Sequence, residues 1–272
     1  MTETIFISEG LENAKEYKKV YESLGKCGVS FEKLPCRENV WCRDFMPVHI
    51  GGGKNVGYNY NPDYLQDKPK EIIEQSAACE GLDINFADTM DITFDGGNYV
   101  RCGDKVLVTD KIFMENPDWR PLRLLERLEE AFQAQVILLP WDMVEEYGHA
   151  DGMVAWLGGD RILLNNYSQL EKDEKKPFTT RLQKILSAHF DVTELHYDCK
   201  VHEDSWCYLN FLETERAIIM PTLSEKKNLD NDIAALELFQ KIFPDKKVVQ
   251  VYAEPLVKDG GALHCVTWEL YR

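Results

Sequence analysis

Cys265, His149 and three aspartates, Asp44, Asp95 and Asp151, are the side chains of this 272-residue sequence whose types and spacing could do covalent chemistry together. A thiolate attacks electron-poor carbon, and a histidine carries protons to the group that leaves and from the water that enters. Carboxylates crowded at one point repel and raise each other's proton affinity unless a cation joins them. A planar guanidinium suits that role, because it offers five N–H donors in a fork that carboxylates grip in pairs. Its carbon is electron-poor, and its charge beside a cysteine favours the thiolate over the thiol.

The reason for grouping these residues is positional. Four segments align on their turns: "WCRDFMPVHIGGGKNVGYNYN" (41–61), "ITFDGGNYVRCGDKVLVTD" (92–110), "GHADGMVAWLGGDRILLNN" (148–166) and "EDSWCYLNFLETERAIIMPT" (203–222). Each reads as two strand-like runs joined by a polar turn that ends in a basic residue, the pattern of a hairpin. Those basic residues are Lys54, Lys105, Arg161 and Arg216, at intervals of 51, 56 and 55. Ten positions before them stand Asp44, Asp95, Asp151 and Trp206, and twelve before stand Cys42, Thr93, His149 and Asp204. Offsets of ten and twelve share one face if the segment is a strand. Units arranged about an axis would then bring these residues to one central spot. A lone "FDGGN" would read as a turn-capping aspartate; three aspartates at one matched offset favour a shared site.

The elements that must position them follow the same period. Amphipathic stretches at 12–25, 68–81, 120–134, 177–190 and 231–244 read as helices, the third with Leu122, Leu125, Leu128 and Phe132 as its apolar stripe. Short hydrophobic strands such as "AQVILLP" (134–140) and "KKVVQVY" (246–252) follow them. The unit is strand, turn, strand, helix, strand, and a repeat of this length marks a repeated supersecondary unit. The fifth unit lacks a strand, which "ETIFIS" (3–8) at the other end of the chain can supply, closing a ring that leaves no open sheet edge between its ends. The expected fold is α/β, a pseudo-fivefold propeller formed as a single domain over residues 1–272. A plain α/β sandwich has a similar order of elements; the near-constant period favours the ring.

Composition narrows the partners. Net charge is −16, which repels nucleic acid and anionic membranes and draws in cations. No run approaches the ~20 apolar residues of a membrane span. The first residues, "MTETIFISEG", lack the basic and apolar stretches of a secretory signal, so the expected compartment is the cytoplasm. The eight cysteines are then free thiols, and their spacing does not suit zinc. "GGGK" at 51–54 lacks the spacing of a phosphate loop. Neither a metal nor a cofactor is called for by this chemistry.

Taken in order, "WCRD" (41–44), "FDGGN" (94–98), "GHAD" (148–151) and "GGALHC" (260–265) resemble the motifs of the guanidine-modifying superfamily. The nearest likeness is to the agmatine deiminases and Porphyromonas-type peptidylarginine deiminases. The resemblance spans nearly the whole chain and implies a five-bladed α/β-propeller with its site on the pseudo-fivefold axis. It implies Cys265 as the nucleophile that forms an amidino-thioether, His149 as general acid and base, and Asp44 with Asp151 as the guanidinium clamp. Asp95 stands where the family has the glutamate of its EGG motif, an arm one methylene shorter. Trp41, from the WxRD motif, is a candidate wall for the substrate. The implied reaction is hydrolysis of a guanidino compound, agmatine favoured, to a ureido product and ammonia. Alternatives are a guanidine-binding propeller with impaired chemistry, an amidinotransferase, and a hydrolase of another arginine-derived guanidine. A cysteine peptidase ranks below these, since a neutral amide needs no ring of carboxylates. Cys42, Cys207 and His264 are expected to be structural, His264 on the face opposite Cys265 if that segment is a strand, and Arg43 an ion-pair partner. Whether the chain forms a homodimer is left open.

Overall fold

The computed structural model describes residues 3–141, 146–170 and 176–272. β1 (Glu3–Ser8) runs parallel to β2 (Phe31–Leu34). β3 (Val48–Gly51), β4 (Lys54–Asn59) and β5 (Phe86–Thr93) form a second sheet. β6 (Val100–Cys102), β7 (Lys105–Thr109) and β8 (Gln135–Leu139) form a third. β9 (Val154–Trp156), β10 (Arg161–Leu164) and β11 (Asp191–Glu194) form a fourth, and β12 (Leu212–Glu213), β13 (Ala217–Thr222) and β14 (Lys247–Tyr252) a fifth. In these four sheets the first two strands are an antiparallel hairpin, and the third returns parallel after a crossover. That is the order parallel pairing requires, since a two-residue turn cannot reverse the chain twice.

β15 (Trp268–Tyr271) completes the first sheet by pairing antiparallel with β1, Glu3 opposite Tyr271. The two ends of the chain therefore make one blade, as the sequence period requires. Trp268 is fully buried there, its ring tilted against that of Phe6 with centroids 5.4 Å apart, and its indole N–H donates to Pro47 O at 2.7 Å. The fold is a pseudo-fivefold α/β arrangement of five three-stranded sheets with apolar clusters between sheets and helices.

Three crossover helices fall where the apolar spacing puts them: Pro121–Phe132, Lys176–Ser187 and Asp230–Ile242. In the first, the buried stripe is Leu124, Leu128, Ala131 and Phe132, and Leu122 is 75% exposed. Pro121 opens that helix at its first turn, and the i, i+4, i+7 row that begins at Leu124 faces the sheet. The 12–25 region is two short helices, Glu9–Asn13 and Lys18–Leu24. The 68–81 stretch departs further, with only Gln75–Ala78 helical. There the backbone is pinned by the buried Gln75 amide, which donates to Phe45 O at 2.9 Å and accepts from Tyr58 N at 3.0 Å. A polar side chain standing in for backbone partners is a tertiary effect that periodicity does not report.

The segments before each hairpin are one-turn helices, not strands: Cys42–Phe45, Gly96–Asn98, Ala150–Gly152 and the longer Glu203–Leu209. Residues at offsets ten and twelve therefore do not share the face of a strand. Convergence arises another way. The four turns pack in succession, first on second, second on third, third on fourth. Residues 263–266 form a turn that closes the circle: Arg43 N donates to Cys265 O at 3.1 Å, and His264 N to Asn210 O at 3.2 Å.

Candidate active site

The first, third and fourth of these turns, with Cys265, line a cavity of about 1100 Å³. Cys265, His149, Asp44, Asp151 and Trp41 all line it, so five of the six residues expected at the site share one wall system. Asp95 is the exception and lies behind His149: His149 Nε2 is 3.0 Å from Asp95 Oδ2, which also accepts from the Tyr64 hydroxyl at 2.8 Å. Trp206, at the repeat position that holds aspartate in the other units, is a cavity wall too. Cys42, Thr93 and Asp204 do not line this cavity; Cys42 is fully buried with Sγ 3.9 Å from Phe6 O, a packed thiol as expected.

The "FDGGN" motif has a packing reason. A Cβ on Gly97 would stand 2.5 Å from His149 Nδ1 and 2.8 Å from Asp44 Oδ1. The imidazole and the carboxylate thus meet over bare backbone, Nδ1 to Oδ1 at 3.7 Å. Arg43 does form an ion pair, but with Glu269 and not its neighbour Asp44: one Nη2 lies 2.8 and 2.6 Å from the two carboxylate oxygens, linking the first turn to β15.

Burial and like charge set the protonation. Desolvation, with Asp95 and Asp151 adding to it, pushes Asp44 up to about 7 against the pull of His149 and Arg43. Desolvation alone would lower His149, but the Asp44 charge and the Asp95 hydrogen bond outweigh it and raise the ring to about 10. Desolvation would raise Asp151 as well; its bond to His264 reverses the sign and leaves it below the ordinary carboxylate range. Burial, then the charges of Asp151 and Asp44, push the Cys265 thiol well above its usual value. Without a bound cation the site therefore holds an imidazolium and a neutral thiol.

Two buried carboxylate oxygens, Asp44 Oδ1 and Asp95 Oδ1, have no hydrogen-bond partner. Each such oxygen is costly by roughly 1–3 kcal/mol, more when charged. Donors on a cation bound in the cavity would satisfy the one on Asp44, which lines it; Asp95 lies behind the His149 ring and is out of reach of such a ligand.

Two residues here carried no repeat signal. Asn210 Oδ1 accepts from His264 N at 3.1 Å and Cys265 N at 3.2 Å, and its Nδ2 is 3.4 Å from Asp151 Oδ2. His264, expected on the opposite face, has Nδ1 at 2.6 Å from Asp151 Oδ2. The expectation failed because residues 263–266 are a turn, where neighbouring side chains need not oppose. Among the described residues no cluster of His, Cys, Asp and Glu is arranged to hold a metal ion, and no helix is long and apolar enough to cross a membrane.

Comparison with known proteins agrees with this fold. A Lactococcus lactis protein named "Putative agmatine deiminase" is 25% identical over 282 residues, covering 89% of this chain and 72% of its own. Campylobacter jejuni agmatine deiminase, solved as a Cys-to-Ser variant with substrate bound, superposes with a TM-score of 0.73 at 17% identity, over 99% of this chain and 93% of that one. The agmatine deiminase of Enterococcus faecalis gives 0.67 at 18% identity, over 98% and 92%. At these identities the structures establish the fold. The family described as Porphyromonas-type peptidyl-arginine deiminase matches residues 3–270, and the chain belongs to that family.

Proposed function

We propose that this chain, acting as one unit over residues 1–272, hydrolyses a small guanidine, agmatine favoured, to a ureido product and ammonia. The observation that carries the reading is the unpartnered, buried Asp44 Oδ1 in the cavity that Asp151, His149 and Cys265 also line. Asp44 and Asp151 clamp the guanidinium and neutralise their own repulsion. Burial, with the charges of Asp151 and Asp44, holds the proton on Cys265 in the free site; the substrate's charge offsets the two carboxylates, and the thiol gives its proton to solvent.

The thiolate attacks the guanidinium carbon, forming a C–S bond. His149, protonated in the free site, gives its proton to the departing nitrogen as the C–N bond breaks, leaving an amidino-thioether and ammonia. The neutral ring next takes a proton from water, whose oxygen attacks the same carbon and expels the sulfur. Asp95, hydrogen-bonded behind the ring, holds the imidazole rather than touching substrate. Its shorter arm is matched by Tyr64, which supports working chemistry over a site that only binds. Trp41, which lines the same cavity, walls the substrate. The eight unpaired cysteines suit a reducing cytoplasm.

The test is ammonia release from a panel of agmatine, arginine and smaller guanidines. Agmatine should be consumed and Cys265→Ala should abolish release. A protein that frees no ammonia from any member, with Cys265 reduced, would refute the reading.

A further inference from the structure

Lys111 is a buried cation that the mechanism above does not use. Its side chain is 1% exposed, and Nζ donates to two backbone carbonyls, Glu146 O and Tyr147 O, each at 3.0 Å. The same ammonium lies 2.9 Å from Asp63 Oδ1 and 3.5 Å from Glu115 Oε1, and 4.8 Å over the Tyr64 ring. A buried ammonium is costly unless its donors are used, and here they join two segments. One, residues 146–148, leads directly into His149. The other is the turn Asp63–Leu65, which carries Tyr64. Their far ends meet at Asp95 Oδ2, bonded to His149 Nε2 and to the Tyr64 hydroxyl. Gly148 has φ +68°, and a Cβ there would stand 2.5 Å from Lys111 Cδ, so backbone and lysine stem are fitted to each other. Thr109 Oγ1 fixes the same bend by donating to Gly148 O at 2.6 Å.

We propose that Lys111 is a positioning residue: its ammonium ties the 146–148 segment to the Asp63–Leu65 turn and so sets His149 and Tyr64 together on Asp95. The proposal rests on the reading that His149 works in turnover, but its structural half does not need that reading. Charged groups that bear on the ring are Asp44, Asp95 and Asp151. Lys111 and Glu115 stand further off, Lys111 acting on Asp95 and Glu115 on both Asp95 and the ring. Loss of a nearby cation by itself would raise the proton affinity of His149. Loss of registry with Asp95 would lower it. The sign of the change therefore separates positioning from simple proximity.

The experiment is histidine-selective NMR titration of Lys111→Met, which keeps the stem and removes the ammonium, beside steady-state kinetics with agmatine and thermal melts. The expected result is a His149 midpoint lowered by about one pH unit or more, with kcat reduced about 10- to 100-fold and KM within about twofold. Lys111→Gln keeps a donor in the same hole; it should change both readouts in the same direction and less, and it decides the matter if Lys111→Met does not fold. A His149 midpoint that stays or rises while only the melting temperature falls would overturn the proposal. The titration needs no turnover, so it still decides the role of Lys111 if no guanidine proves to be a substrate.

Discussion

His264 Nδ1 lies 2.6 Å from Asp151 Oδ2, so the residue immediately before Cys265 holds one of the carboxylates that share its cavity. The contact reverses the effect of burial on Asp151 and keeps it ionised at neutral pH. A hydrogen bond to a charged group is worth roughly 1.5–3 kcal/mol. His264→Ala should therefore raise KM for agmatine about 10- to 100-fold at pH 7, with a smaller change in kcat. The sign with pH follows: Asp151 without its partner takes up a proton more readily, so the defect should deepen as pH falls from 8 to 6. Steady-state kinetics at three pH values checks it, and a pH-independent defect would point to lost packing instead.

Gly97→Ala tests the close approach of His149 and Asp44. The added methyl would stand 2.5 Å from the imidazole and 2.8 Å from the carboxylate. Displacement of reacting groups by an ångström can reduce rates about 100-fold. The expected outcome is a loss of kcat of that order in a protein that still melts cooperatively. Wild-type turnover in this variant would mean that the two side chains do not work in the arrangement seen.

The pH dependence of binding should be set by Asp44. Its carboxyl is raised to about 7, while His149 at about 10 stays protonated across the neutral range. Below pH 7 the free site carries a proton on Asp44 that a guanidinium must displace. KM should then rise by up to about tenfold per pH unit as pH falls below 7, and level off above it. Calorimetry at pH 6.5 in buffers of different ionisation enthalpy should register proton release on binding. A KM that is flat from pH 5 to 8 would contradict this assignment.

The sequence carried the architecture further than it carried the site's wiring. Turn chemistry and period were enough to place five units and to pair Glu3–Ser8 with the C-terminal strand, because hairpin turns and apolar strands are local signals. The same period aligned Asp44, Asp95 and Asp151, although the supposed strand face is a set of one-turn helices. Equivalence between repeats survived an error about local conformation. What stayed hidden depends on side chains reaching across units. Gln75 stands in for backbone partners, Asn210 bridges the cysteine turn to Asp151, and Arg43 finds Glu269 more than two hundred residues away. None of these has a repeat counterpart, so no spacing points to it. Asp95 was placed by the repeat alignment, but its position behind the imidazole is visible only once Tyr64 is seen on the same oxygen.

In the proposed reaction a guanidine clamped by Asp44 and Asp151 becomes covalently bound to Cys265. Rapid acid quench of turnover with agmatine, followed by peptide mass spectrometry, reads this directly. The expected product is a peptide containing Cys265 that has gained the mass of agmatine less ammonia, absent in Cys265→Ala and trapped more strongly in His149→Ala if the second half-reaction is slowed more than the first. Ammonia release at full rate from Cys265→Ala, or an adduct on any other cysteine while Cys265 stays unmodified, would contradict it.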